Sequence, residues 1–216
     1  MARRTEKKQQ TRSNLMGAAL ELVKNGQHFS SISIREVAKF AGVVPTSFYR
    51  HFTDLDDLGL SLVDELSLML RQLMRKARQS VTDPQALITD SINLFSEYVI
   101  SHRAFFVFLS QGLTGGSIAI RSAIRSELQF FANELSLDLR RMALMSHLDA
   151  KTLENLSQLT INTVAMSVLE LVDADKKDTE ALDALKASTV NQLKLVYLGA
   201  AYWKNEAEEV EESVAD

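Results

Sequence analysis

The sequence has no cysteine among its 216 residues. That excludes disulfide frameworks, Cys-liganded zinc, iron–sulfur clusters and thiol nucleophiles. It has only two prolines and eight glycines. Such scarcity argues against a many-turned β sandwich and for long helices. Long apolar runs are missing too. The longest stretches without a charged residue, 104–120 and 155–169, span 17 and 15 residues and hold polar side chains or glycines. A membrane span needs roughly 20 mostly apolar residues. The basic start, Met1 to Lys8, leads into no short apolar core and so lacks the form of a secretory signal. These absences lead us to expect a cytoplasmic protein with no membrane insertion.

Catalytic and metal-binding patterns are also lacking. His28, His51, His102 and His147 show no metal-ligand spacing, and no H-E-x-x-H occurs. Gly115-Gly116-Ser117 is not a nucleophile elbow, because Ala119 stands where glycine is required. The same loop lacks the lysine of a phosphate-binding loop. Asp64 and Glu65 are adjacent, so on a helix they diverge rather than pair as acid and base. No catalytic residue, metal site or cofactor is expected.

What is present is helix patterning, in a chain that is 46% apolar and long enough for one or two domains. Apolar residues at Leu15, Ala18, Ala19, Leu22 and Val23 predict a helix over 11–24, closed by Gly26. Ser33-Ile34-Arg35-Glu36 fits a capping box at the start of a helix over 33–41. Pro45 suits the first turn of another over 45–51. Further helices are expected over 54–80, with Asp54 as cap and two apolar faces, from Asp83-Pro84 to 101, and over 103–111, 117–146, 150–173 and 178–204, with residues 112–116 as a loop. Asp149 and Asp178 are candidate caps, and residues 205–216 form an acidic tail.

The two short helices at 33–41 and 45–51 are joined by Gly42-Val43-Val44, a helix-turn-helix spacing. The second helix of such a pair enters the DNA major groove. Its outward set is Thr46, Ser47, Tyr49, Arg50 and His51, with Phe48 and Phe52 free to anchor inward. Helix-turn-helix pairs also occur without DNA, but charge favours the DNA reading. Residues 1–52 hold nine basic side chains against three acids, a net +6; the whole chain is −4, so the remainder is −10. A phosphate backbone attracts the first part and repels the second.

The stretch Ile34-Arg-Glu-Val-Ala-Lys-Phe-Ala-Gly-Val-Val-Pro-Thr-Ser-Phe-Tyr-Arg-His-Phe52 resembles the DNA-binding domain of the TetR family of transcriptional regulators. With Asp56-Asp-Leu-Gly-Leu60 and Leu68-Met-Leu-Arg-Gln-Leu-Met-Arg75, it is similar to the FabR and DesT type, repressors of unsaturated fatty acid synthesis. The likeness is strongest over about 34–76. It implies an all-α homodimer with a three-helix DNA-binding head (1–53), a C-terminal helical domain for ligand binding and dimerisation (54–204), and a palindromic operator. By position it implies that Arg12, Arg35, Thr46, Ser47, Tyr49, Arg50 and His51 face DNA. Tyr49 and His51 would hold phosphates, Arg12 a flanking phosphate, and Thr46, Ser47 and Arg35 would lie nearer base edges. Many family members carry a lysine just before the fourth helix; here Thr53-Asp-Leu-Asp-Asp57 offers acids.

The resemblance also implies an effector, a fatty acyl-CoA or acyl carrier protein thioester. Candidate lining residues are Leu66, Met69, Leu73, Phe95, Tyr98, Phe105, Phe106 and Leu109. Apolar and aromatic residues of this kind line acyl pockets but equally build cores. Arg121 and Arg125, one turn apart, are candidates for a basic mouth or ordinary surface arginines. Apolar residues on more than one face of the last two helices fit a four-helix dimer interface or a larger intrachain bundle. Other readings remain open: a helical lipid-binding carrier, or a regulator of another hydrophobic ligand such as a drug.

Overall fold

The computed structural model describes residues 2–80 and 86–203. Among them the regular structure is all helical: α1 (Ala2–Lys24), α2 (Ile34–Phe40), α3 (Pro45–Phe48), α4 (Leu55–Ser80), α5 (Leu87–Ser101), α6 (Arg103–Thr114), α7 (Ile118–Arg140), α8 (Ala150–Asp173) and α9 (Thr179–Ala201). Short 3-10 turns lie at Phe29–Ser31 and Ala143–Met145. The all-α expectation holds. The expected helix start at Asp83-Pro84 and the acidic tail fall outside the described residues. The chain forms two compact units, Met1–Ser80 with Glu97–Arg125, and Val81–Ser96 with Ser126–Asp216. Both α5 and α7 contribute to each.

The first unit is built on local closures. α1 starts at Ala2, not Thr11. Its first turns carry no apolar stripe, so periodicity is silent there, but Arg, Lys, Glu and Gln are strong helix formers. α1 buries Leu15, Ala18, Ala19 and Val23. It ends where Gly26 takes a φ of 94°, with Gly26 N–H donating to Val23 O (3.0 Å) and Gln27 N–H to Leu22 O (3.2 Å). The end of α2 repeats the arrangement: Gly42 has φ 69°, its N–H reaches Lys39 O (3.1 Å), and Val43 N–H reaches Ala38 O (2.9 Å). These paired bonds satisfy the free carbonyls of a helix end, and the left-handed residue they need is accessible to glycine.

The capping box at Ser33 forms. Ser33 N–H donates to Glu36 Oε2 (2.8 Å) and Glu36 N–H to Ser33 Oγ (3.3 Å). The Ser33 hydroxyl also donates to Glu36 Oε2 (2.7 Å), and this bond, then that from Ser33 N–H and one from Gln27, hold the Glu36 carboxyl below its usual range. Asp54 caps α4 by accepting from Asp57 N–H (2.8 Å), and the Asp57 carboxylate accepts from Thr53 N–H (2.8 Å). α3 is shorter than the expected 45–51. It is helical over Pro45–Phe48, and Tyr49, Arg50 and His51 wind on as turns. Residues 112–114, expected in a loop, belong to α6. Gly112 is tolerated there because a side chain would overlap Ile124 of α7.

In the second unit, Leu139, Met145, Leu148, Leu153, Leu156 and Ala200 form one buried cluster. Ile92, Val190 and Leu193 form another, and Tyr197 packs against both. α7 stops at Arg140, short of the expected 146. No proline or glycine marks that end. The chain turns there and buries Met145, so packing overrides propensity. Asp149 and Asp178 cap α8 and α9, accepting from Thr152 N–H (2.7 Å) and Ala181 N–H (3.0 Å).

Candidate nucleic-acid interface

The second helix of the helix-turn-helix pair is held from within by two aromatic rings. Phe48 and Phe52 are fully buried, with centroids 5.5 Å apart. Residue spacing then forces their neighbours outward: Thr46, Tyr49 and Arg50 are exposed, and Ser47 and His51 are half-buried. Tyr49 is 61% exposed. A hydroxyl, a phenol, a guanidinium and an imidazole thus share one short convex segment, the donor set that phosphate and base edges require.

Arg12 joins this segment to the rest of the unit. Its guanidinium lies 4.9 Å from the Phe52 ring centroid. It donates to Ser61 Oγ (2.7 Å) on α4 and to Met16 Sδ (3.2 Å). It therefore braces α1, α4 and the residues after α3, besides adding positive charge. Lys8 lies one turn before Arg12, and Arg35 is exposed on α2. The imidazole of His51 is held below its usual range, first by burial and then by Lys8, Arg12 and Arg50. Its Nδ1 is buried without a hydrogen-bond partner. The acids of 54–57 have intramolecular partners: Asp54 and Asp57 cap α4, and Asp56 Oδ2 accepts from Ser117 Oγ (2.7 Å).

Helix α6 is bound to the turn after α1. Gln111 Oε1 accepts from Phe29 N–H (2.9 Å), and Gln111 Nε2 donates to Gln27 O (3.2 Å). The Phe29 ring meets Phe108 edge to face, with centroids 4.8 Å apart. In the same unit Leu66 and Phe106 are buried, and Met69, Leu73, Phe105 and Leu109 are half-buried. Tyr98 stacks on His102 at 4.0 Å, and burial raises its phenol above the usual range. Phe95 belongs to the second unit. Arg121 points at the end of α6, donating to Gly115 O (3.3 Å) and Gly116 O (3.5 Å). Arg125, one turn on, is exposed.

Comparison with known proteins settles the family. Residues 84–193 match the tetracyclin repressor-like C-terminal domain. The chain belongs to the TetR family. The structure of a Syntrophomonas wolfei protein described as a TetR-family transcriptional regulator superposes with a TM-score of 0.69 at 14% identity, covering 88% of this chain and 96% of that one. The fatty acid degradation regulator FadR from Bacillus halodurans gives 0.62 at 18% identity, covering 89% and 95%. FadR from Bacillus subtilis, solved with stearoyl-CoA, gives 0.66 at 18% identity, covering 84% and 96%. At these identities the structures share the fold.

As a TetR-family transcriptional regulator, the chain belongs to a non-enzymatic family. Among the described residues no group of three or more His, Asp or Glu side chains forms a metal site. No helix there is long and apolar enough to cross a membrane. Gln111 and Ser61 escaped the sequence reading because single polar residues inside helical stripes carry no motif, and Ser117 was weighed only as part of a nucleophile elbow, not as a partner of Asp56. Lys8 was visible only as charge, since the helix that places it begins earlier than its apolar pattern.

Proposed function

We propose that this TetR-family regulator is a cytoplasmic homodimeric repressor of lipid metabolism genes, of the FabR and DesT type, whose DNA affinity responds to a fatty acyl thioester. The observation that carries the DNA half is the sorting around α3. Two buried aromatics fix the segment, and Thr46, Ser47, Tyr49, Arg50 and His51 are presented with Arg12 against Phe52 and Arg35 exposed on α2. In this reading Tyr49, His51 and Arg12 hold phosphates, while Thr46, Ser47 and Arg35 face base edges of a palindromic operator. Residues 1–53 act as the DNA-binding domain and 54–204 as the ligand and dimer domain. The exposed Leu159 and Met166 of α8 and Leu195 and Leu198 of α9 supply the dimer face.

The ligand half has two supports. Apolar and aromatic side chains at Leu66, Met69, Leu73, Tyr98, Phe105, Phe106 and Leu109 belong to one unit; Phe95, the other candidate, belongs to the second. A regulator of the same fold was solved with stearoyl-CoA. In this reading Arg121 and Arg125, one turn apart with Arg125 exposed, meet the anionic carrier. A ligand changes DNA affinity only by binding two arrangements unequally.

The test selects operators from a random duplex pool with the full chain. Operator affinity is then measured with saturated and unsaturated acyl-CoAs. The reading expects palindromic selection, a steep fall in affinity with salt, a loss of at least tenfold in Arg50→Ala, and a change in affinity with acyl-CoA. Binding that never exceeds binding to random DNA overturns the repressor reading. Operator binding indifferent to every acyl-CoA overturns the ligand half alone.

A further inference from the structure

Resting on the DNA-binding reading above, we infer that Val44 reads the 5-methyl group of an operator thymine, as the apolar specificity contact of this head. Val44 directly precedes Pro45 at the leading end of the segment that carries Thr46, Tyr49 and Arg50. Its side chain is 65% exposed, while Val37, Phe48 and Phe52 of the same head are buried. It occupies the N-cap position of α3, with extended backbone (φ −75°, ψ 148°) and no side-chain cap bond. That position strongly favours Ser, Thr, Asp or Asn, whose side chain would satisfy a free backbone N–H. Valine supplies no such bond, and its isopropyl group is largely exposed. A residue that breaks a local rule without a local gain marks a functional position.

The neighbours define the chemistry. Pro45 and Thr46 are exposed beside it, so valine, proline ring and threonine methyl form one apolar corner on an otherwise cationic surface. Arg50 lies on the same segment, and Lys8 and Arg12 flank it; all three suit phosphates. The leading residues of a helix-turn-helix reading segment are the ones that meet base edges. In the major groove the base edges are donors and acceptors, apart from the thymine methyl. An apolar corner carried into that groove fits thymine and rejects the bare edge of the other three bases.

The experiment takes the palindromic duplex that the full chain selects and replaces each thymine of a half-site in turn by deoxyuridine, which removes only the methyl. For the wild-type chain we expect one thymine position where uracil weakens binding about fourfold per half-site, the worth of one buried methyl, and roughly fifteenfold when both half-sites are changed. Val44→Ala should lose a similar factor on the thymine duplex and show no further loss with uracil. Val44→Ser, which supplies the missing cap, should unfold at a temperature equal to or above wild type and still bind the thymine duplex more weakly. If Val44→Ala keeps the full uracil penalty at every position, or both variants bind as tightly as wild type, the assignment is overturned. Failure of the wild-type chain to select any sequence overturns the DNA-binding reading with it, and so is distinct from the failure of Val44 alone.

Discussion

Around α3, Phe48 and Phe52 are 0% and 2% exposed, whereas on α8 and α9 Leu159, Met166, Leu195 and Leu198 stay between 49% and 70% exposed. The first region completes its own packing. Its anchoring rings Phe48 and Phe52 are inside, its helix ends are closed by glycine turns and side-chain caps, and its outward groups, Tyr49 and Val44 among them, lie beside cations. The second region has a finished interior at Leu153, Leu156 and Leu193, but also an outward row of large side chains at helical spacing. Exposed patches of that kind mark an association surface. The lesson is that the first region is shaped to meet something polar and the second to meet something apolar.

The strongest challenge to this contrast is Phe48→Ala. Emptying a fully buried aromatic site costs about 3–5 kcal/mol. We expect the first unit to unfold early in a denaturant titration and operator binding to vanish, with the oligomeric state in sedimentation unchanged. A dimer lost along with the head would break the division of labour. Next comes the double change Leu195→Lys/Leu198→Lys. It should convert the dimer to monomer at micromolar concentration and weaken operator binding at least tenfold, while thermal unfolding of the head is preserved. A sedimentation profile identical to wild type would remove α9 from the interface.

Smaller effects sharpen the account of the head itself. Ser33→Ala removes one half of the capping box and should cost about 1 kcal/mol, read as a lowered denaturation midpoint; no shift would mean that packing of Val37 and Ala38 carries α2 unaided. The smallest effect concerns His51. Its imidazole is held below the ordinary value of 6.5 in the folded chain, by burial first and by Lys8, Arg12 and Arg50 after it. The folded head therefore binds fewer protons than the unfolded chain. The stability due to neutral His51 is complete above about pH 6.5 and falls away as the pH drops toward the depressed value. Unfolding midpoints between about pH 7.5 and 5 should thus fall less in His51→Gln than in wild type. Equal slopes would assign the acid sensitivity elsewhere.

Much of this was legible in the residues. The box at Ser33, the turn at Gly42, the proline of α3 and the caps at Asp54, Asp149 and Asp178 are local features. Their causes lie within a few positions of chain, and the structure has each where expected. The inward rings Phe48 and Phe52 followed from spacing alone. What escaped depends on contacts between distant segments. Gly112 reads as a loop residue until Ile124 occupies the space beside it. Arg12 reads as a phosphate ligand, and its bonds to Ser61 and its place on Phe52 join residues 40 or more positions apart. The start of α1 was hidden for the opposite reason: an exposed, charged helix has no apolar rhythm to read. The candidate lining residues stay mixed, because periodicity marks an inward face and says nothing of whether that face is filled.

The joint between α6 and the turn after α1 has one further property. Gln111 grips the main-chain N–H of Phe29 and the main-chain carbonyl of Gln27. Main-chain groups are the same whatever residue bears them, proline's missing N–H excepted. For these two bonds the socket lies on α6 and the plug is backbone, while the Phe29 ring adds a side-chain contact on Phe108. A change at residue 27 gives up the side-chain bond to Glu36 but leaves its carbonyl for Gln111, whereas loss of Gln111 removes both bonds at once, whatever head they hold. Such a coupling lets the reading end of a regulator diversify, or be exchanged for another, without rewriting the part that holds it.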